Sequence, residues 1–433
     1  MIKAGFSRVD VTPPLGSYMS GYFRDRYAKG VIDPLYLNAI AISDGDDTAL
    51  IITADFLGIG EEMATPIRKK IAESVGINAN NIIINALHQH TAIFVRRFAS
   101  GSNDYIFDSG FVDVLYHKFC DVSKMAIDDM SEATLGLAEK EALEQIAFIR
   151  RFYMKDGSVK THASRDPNMV RPAGDPDNTV RLLKFSREGK NDIALVNFST
   201  HPDTVGGELY CADWPGYTRT YVEADHEGVS CILVNGVQGD SNHVSYTKES
   251  VGKGGPHARY MGRVIADTLK QIWDKTEQID DIKINAGVDF VYQMTRLDGA
   301  ELYDECAAKL DAVMEGTLPP SVLDYVGGKG GAGRIVRLRT DPLFRKIPVS
   351  VISLGKINFV GFGGEPFSHY ATAVREALPE KYIVALCAAN GYEGYLPTEA
   401  AFSEGGYEAS SSPFQPSLEK ECVNMAVEMI KGF

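Results

Sequence analysis

Apolar residues in this chain gather in short saturated runs that break abruptly into polar ones. Ile82-Ile83-Ile84, the segment 193–198, the segment 230–235 and the segment 357–362 lack the alternation of a half-exposed strand, so they read as strands covered on both faces. Further strands fall at 39–43, 49–54, 145–149, 181–185, 285–292, 349–354 and 382–388, with 349–354 and 357–362 forming a hairpin. Elsewhere the apolar positions recur at helical spacing. Met63, Ile67 and Ile71 mark one stripe of a helix over 61–75, and the same period predicts helices over 111–130, 217–224, 260–273, 300–314, 366–377 and 418–430.

The order strand, helix, strand over 49–86 predicts a parallel pair. The fold class is therefore α/β with a mixed α+β character: a largely β-sheet core with flanking helices. The chain forms one unit, 1–433, whose change of character beyond Asp280 suggests two packed parts, 1–280 and 281–433. Between the helix at 300–314 and the strand at 349–354 lies a polar connection of about thirty residues, longer than most ordered loops. It contains Gly327-Gly328-Lys329-Gly330-Gly331-Ala332-Gly333. Without a Gly-Lys-Ser/Thr ending this stretch is not a phosphate loop, and it reads as a mobile loop or lid.

Charge and cysteine usage narrow the function classes. Forty-four Lys and Arg face 58 Asp and Glu, a net charge of −14, which gives no general support to a nucleic-acid or anionic-membrane surface. The first ten residues carry no apolar signal core and no run approaches membrane-spanning length, so a cytoplasmic protein without stable membrane association is expected. Six cysteines lie scattered with no Cys-x-x-Cys pair, which argues against a zinc ribbon or a dithiol redox site.

Candidate chemistry sits where the apolar runs end. The strand at 82–86 leads into His88-Gln89-His90, the strand at 193–198 into His201, and the strand at 357–362 into Glu365. In open α/β sheets the carboxyl ends of strands line the ligand crevice, so His88, His201 and Glu365 converge in this reading. Two imidazoles and a carboxylate suit a catalytic zinc that keeps one position for water and brings its pKa to about 7. Strand-exit histidines also serve as hydrogen-bonded structural residues, and spacing alone leaves that alternative open.

Several ordered motifs bear a family likeness. Asp10-Val11-Thr12-Pro13-Pro14-Leu15-Gly16 with Gly21-Tyr22, then Gly30 to Leu35, Asp55, His88-Gln89-His90-Thr91, His201, Ala212 to Gly216, Gly239-Asp240 and Gly364-Glu365 together resemble the amino-terminal catalytic domain of neutral/alkaline, non-lysosomal ceramidases. The resemblance implies one zinc ion per chain held by His88, His201, Glu365 and a tyrosine, with Tyr395 favoured over Tyr392. It also implies that His90 faces the substrate and shuttles protons, and that Tyr407 and Arg165 steady an oxyanion. The implied reaction is attack of metal-bound water on an amide, N-acyl bond.

Departures from the family pattern matter as well. The family's Gly-Asp-x-Ser-Pro segment appears here as Gly239-Asp240-Ser241-Asn242-His243, with Asn242 where the serine would stand, so covalent serine catalysis is not expected and Ser241, Asn242 and His243 are assigned to the substrate. The chain carries no counterpart of the family's immunoglobulin-like domain, which points to a small polar molecule rather than ceramide. The alternatives are the same site acting on an ester or a sugar derivative, or a metal-binding module without catalysis.

Overall fold

The computed structural model describes residues 2–96, 109–163, 165–246 and 252–433. Its larger sheet is built from β1 (Ile2–Asp10), β2 (Tyr36–Ser43), β3 (Thr48–Ala54) and, after helix α1 (Glu61–Val75), β4 (Ile82–Ala86). Helix α2 (Ser109–Asp128) leads to β5 (Ser131–Glu141), β6 (Thr179–Arg187) and β7 (Asp192–Phe198), and α3 (Asp213–Asp225) leads to β8 (Val229–Asn235) and α4 (Gly254–Ile272). The strand order is β8-β7-β6-β5-β1-β2-β3-β4, with the short strand Glu277–Ile279 added beside β5. The two outermost pairs, β3 with β4 and β7 with β8, are parallel, and the inner pairs are antiparallel. Each parallel pair is a strand-helix-strand unit.

The smaller sheet follows. Strand β9 (Ile284–Met294) is separated by α5 (Tyr303–Met314) and α6 (Gly328–Arg337) from β10 (Phe344–Leu354) and β11 (Ile357–Phe362); α7 (Ser368–Ala377) then crosses to β12 (Tyr382–Leu386). The order β9-β10-β11-β12 is antiparallel except for β11 and β12. Helices α8 (Tyr407–Ser411) and α9 (Leu418–Lys431) complete the chain.

The saturated apolar runs are explained by layering. Along β4, Ile82 and Ile84 pack with α1 and α2, whereas Ile83 points the other way, into a core shared by the two sheets. Leu195 of β7 joins that shared core while Ala194 and Val196 face α3 and α4. From the smaller sheet, Ile352, Phe359 and Val384 enter the shared core, and Val351, Val360 and Phe362 face α7 and α9. Helices, sheet, sheet and helices thus stack in four layers, and a strand between two layers has no polar face to show.

The edge of β4 is also stitched to the residues after β12. Asn390 receives the Ile84 amide on Oδ1 at 2.9 Å and donates to the Ile82 carbonyl at 3.0 Å, and Asn85 donates to the Cys387 carbonyl at 2.6 Å. These bonds satisfy an edge that would otherwise be open.

The connection expected as a lid is ordered. It folds into a 3-10 turn, Pro320–Val326, and then α6, in which the glycines are packing residues. A Cβ on Gly331 would lie 1.6 Å from the Val326 carbonyl oxygen, and one on Gly330 would lie 2.7 Å from the Tyr407 ring. Only a bare backbone fits against those neighbours. Among the described residues no helix is long and apolar enough to cross a membrane.

Candidate metal centre

Three strand-helix-strand units bring their carboxyl ends together. Beyond β4, His88 adopts the left-handed region at φ 73°, a conformation that side-chain-bearing residues keep only where the surroundings enforce it. The enforcement is visible: its amide donates to the Phe56 carbonyl at 2.9 Å and its Nδ1 to the Leu57 carbonyl at 2.8 Å. Beyond β7, His201 donates Nδ1 to the carbonyls of Gln238 and Ser241 at 2.9 and 2.8 Å, both in the loop after β8. Since a carbonyl can only accept, the proton of each ring sits on Nδ1 and each Nε2 presents a lone pair.

Both Nε2 atoms lie close to one carboxylate oxygen. Glu365 Oε2 lies 3.4 Å from His88 Nε2 and 3.0 Å from His201 Nε2, without hydrogen-bond geometry to either. All three residues are at most 2% exposed. Burial and the Arg150 charge push His201 down to about 3. Three acceptors converging in a dry site repel one another; the Arg150 guanidinium beside His201 relieves part of that repulsion, and a metal ion among them would relieve the rest.

His90 comes from the same loop as His88, with their rings edge to face at 5.0 Å. Among the described residues neither ring nitrogen has a hydrogen-bond partner, and burial followed by the neighbouring His88 keeps its pKa well below the ordinary value. His88, His90 and His201 each offer a nitrogen within 4.8 Å of the others, a group that could hold a metal ion.

Two tyrosines and an arginine close the site. Tyr392 donates its hydroxyl to Glu365 Oε1 at 2.5 Å and stacks on His88. Tyr395 pairs with Glu365 in a two-residue parallel ladder, and its ring lies beneath Arg150. Tyr407 stands edge-on to Tyr395 at 5.7 Å, and burial, aided by Glu365 and Glu408 against Arg150, pushes its hydroxyl up to about 12.

The arginine at this position is Arg150. Its Nη1 lies 3.4 Å from His201 Nε2, its Nε donates to Glu408 at 2.7 Å and its Nη2 to the Gly239 carbonyl at 2.9 Å. Arg165, expected here on motif grounds, is exposed on a turn, with no described contact to His88, His201 or Glu365; its neighbour Ser164 lies outside the described residues. The signal for Arg150 was present in the sequence. The apolar run at 146–149 ends in Arg150-Arg151, the same strand-exit pattern that marked the histidines.

Ser241, Asn242 and His243 are all buried. Ser241 and Asn242 pair with Phe148–Ile149, Ser241 braces His201 through its carbonyl, and His243 donates Nε2 to the Asp203 carbonyl at 3.0 Å. Their observed contacts hold the site's walls in place. Asp55 likewise binds Arg219 through both oxygens, and Asp240 accepts the Ser368 amide and hydroxyl at the start of α7.

The fold matches that of the neutral ceramidase catalytic domain, and a histidine cluster able to hold a metal lies at its strand ends. The solved structures that share this fold include a ceramidase complexed with C2, at 14% identity and TM-score 0.76, and a neutral ceramidase from Pseudomonas aeruginosa, at 16% identity and TM-score 0.74. Each likeness covers 99% of this chain and 74% of the other. No protein-family model and no curated protein sequence matches the chain.

Proposed function

We propose that this protein is a zinc-dependent hydrolase that cleaves the amide, N-acyl bond of a small polar substrate. The observation that carries the reading is the triangle of acceptors: His88 Nε2, His201 Nε2 and Glu365 Oε2. Zinc bonded to nitrogen and oxygen at about 2.0–2.1 Å in a tetrahedron spaces its ligand atoms roughly 3.3 Å apart, which matches the 3.4 and 3.0 Å found between the imidazoles and the carboxylate. The donor set therefore fits the ion. Tyr395 is proposed as the fourth protein donor, with Tyr392 orienting Glu365. When bound, zinc supplies a Lewis acid and a water acidified to near neutral pH.

The remaining roles belong to the chain. Arg150 is locked by Glu408 and Gly239, so its positive charge is already in position for the oxyanion that develops at the substrate carbonyl. Tyr407 keeps its proton at neutral pH and can donate it as a hydrogen bond to the same oxygen. His90 is neutral and unpartnered, suited to accept a proton at Nε2, the nitrogen turned away from Asp203, and to return it to the leaving amine. The fold analogy adds weight without fixing the substrate, since one fold hosts many reactions.

The test is elemental analysis of the purified protein and of His201→Ala, with acetate release followed on a panel of small N-acetyl amines. One zinc per chain, lost in the variant, together with hydrolysis of the panel, is expected. Bound zinc with no acetate release would turn the assignment toward ester or sugar-derived substrates.

A further inference from the structure

Beside the histidines stands a carboxylate that the hydrolytic roles leave unused. Asp203 follows His201 by two residues, accepts the Tyr22 hydroxyl on Oδ1, and holds that oxygen 3.6 Å from His90 Nδ1. Its backbone is fixed from three sides. The Pro202 carbonyl accepts the His90 amide at 3.2 Å, the Asp203 carbonyl accepts His243 Nε2, and the amides of Thr204 and Val205 donate to Asp213 at 3.0 Å. The side chain nevertheless remains 23% exposed, so a ligand can reach it.

The groups in contact with Asp203 are His90, Tyr22 and His243; burial, with His257 adding to it, lowers His243 to about 4, and burial raises Tyr22. Among the described residues, Arg26 and Asp213 lie within electrostatic reach. Arg26 spends its guanidinium on the carbonyls of Gly207, Ser20 and His90 and lies over the Tyr22 ring, and Asp213 adds a second negative charge. Among the described residues Asp203 has no ion pair with a lysine or arginine, whereas Glu408 and Asp55 nearby each have one. Gly21, at φ 104°, packs closely on the same imidazole, where a Cβ would sit 2.9 Å from His90 Nδ1.

We propose that Asp203, oriented by Tyr22, recognises an ammonium group on the leaving, amine half of the substrate. The inference rests on the hydrolase reading for which half of the substrate lies there. An imidazole ring alone separates the carboxylate from the proposed metal site, so the ammonium belongs a short linker away from the scissile nitrogen. A carboxylate that meets a cation out of bulk water gains a charge-assisted hydrogen bond that a methyl group cannot offer.

The experiment compares two nearly isosteric ligands, N-acetylethylenediamine and N-propylacetamide, on zinc-loaded wild type, Asp203→Asn and Asp203→Ser. Isothermal titration gives the dissociation constants, and acetate release is followed in parallel. Wild type is expected to bind the ammonium compound about 10-fold or more tighter than the methyl compound, and whichever variant folds is expected to bind both alike. Equal binding of the two ligands by wild type would overturn the proposal, as would a preference that survives in a folded variant. A binding preference lost in the variants, with no acetate released by wild type, would support the Asp203 assignment while sinking the hydrolase reading.

Discussion

The Tyr392 hydroxyl meets Glu365 Oε1 at 2.5 Å while the Tyr392 ring lies stacked on His88, so one side chain touches two residues of the proposed metal site at once. A group that orients a ligand without binding the metal is worth roughly 10- to 100-fold in affinity. Tyr392→Phe is therefore expected to weaken zinc retention by about that factor in competition with a chromogenic chelator. Tyr395→Phe, which removes a proposed ligand, should cost more. If it cost less, the fourth donor would be Tyr392.

Arg150 and Arg165 separate cleanly by mutation. Arg150→Met is expected to lower kcat by roughly 10²–10³-fold with zinc content retained, the usual cost of removing one oxyanion donor. Arg165→Ala, at an exposed turn, should leave kcat and zinc unchanged. Steady-state kinetics on the best N-acetyl substrate decides between them, and an inert Arg150→Met would remove that residue from the mechanism.

Helix α6 makes a prediction about packing. Gly331→Ala would drive a Cβ into the Val326 carbonyl and is expected to destabilise the protein by about 1–3 kcal/mol, seen as a lower urea midpoint. Gly330→Ala presses on the Tyr407 ring, so its larger effect should fall on kcat. A Gly330→Ala enzyme with normal kcat would show that Tyr407 does not need its observed position.

Asp213 links stability to pH. Burial raises its carboxyl to about 6 in spite of hydrogen bonds from Thr204, Val205 and Trp214, against 3.8 ordinarily. Between about pH 4 and 6 the folded state binds more protons than the unfolded state, so this group's contribution is favourable at the acid end and falls as pH rises, by about 3 kcal/mol in all. Asp213→Asn should flatten that part of the profile in urea melts at pH 4, 5, 6 and 7. Parallel profiles for variant and wild type would refute the assignment.

Much of this was legible because a strand between two layers must be apolar on both sides. Ile82 to Ile84, 193–198 and 357–362 announced both the core and, at their ends, the convergence of His88, His201 and Glu365. The segment 315–345 was misread for an equally physical reason. Glycine is a poor helix former, so local preference argued for a loop, while the contacts of Gly330 and Gly331 that make the helix lie far away in sequence or across a turn. Arg165 was chosen from a motif in a polar loop, although the strand-exit pattern pointed to Arg150. Tyr392 and Tyr395 share one loop three residues apart, and only their distances to Glu365 and Arg150 give them different work.

The stitching of β4 to the segment after β12 sets an order of events during synthesis. His88, His90 and His201 leave the ribosome well before Glu365, and the β4 edge cannot be sealed until Asn390 has followed. Until then the nascent protein carries an apolar sheet face and a set of loose imidazoles able to capture metal in unproductive ways. Closure of the smaller sheet over the larger is thus also the step that brings Glu365 to the histidines.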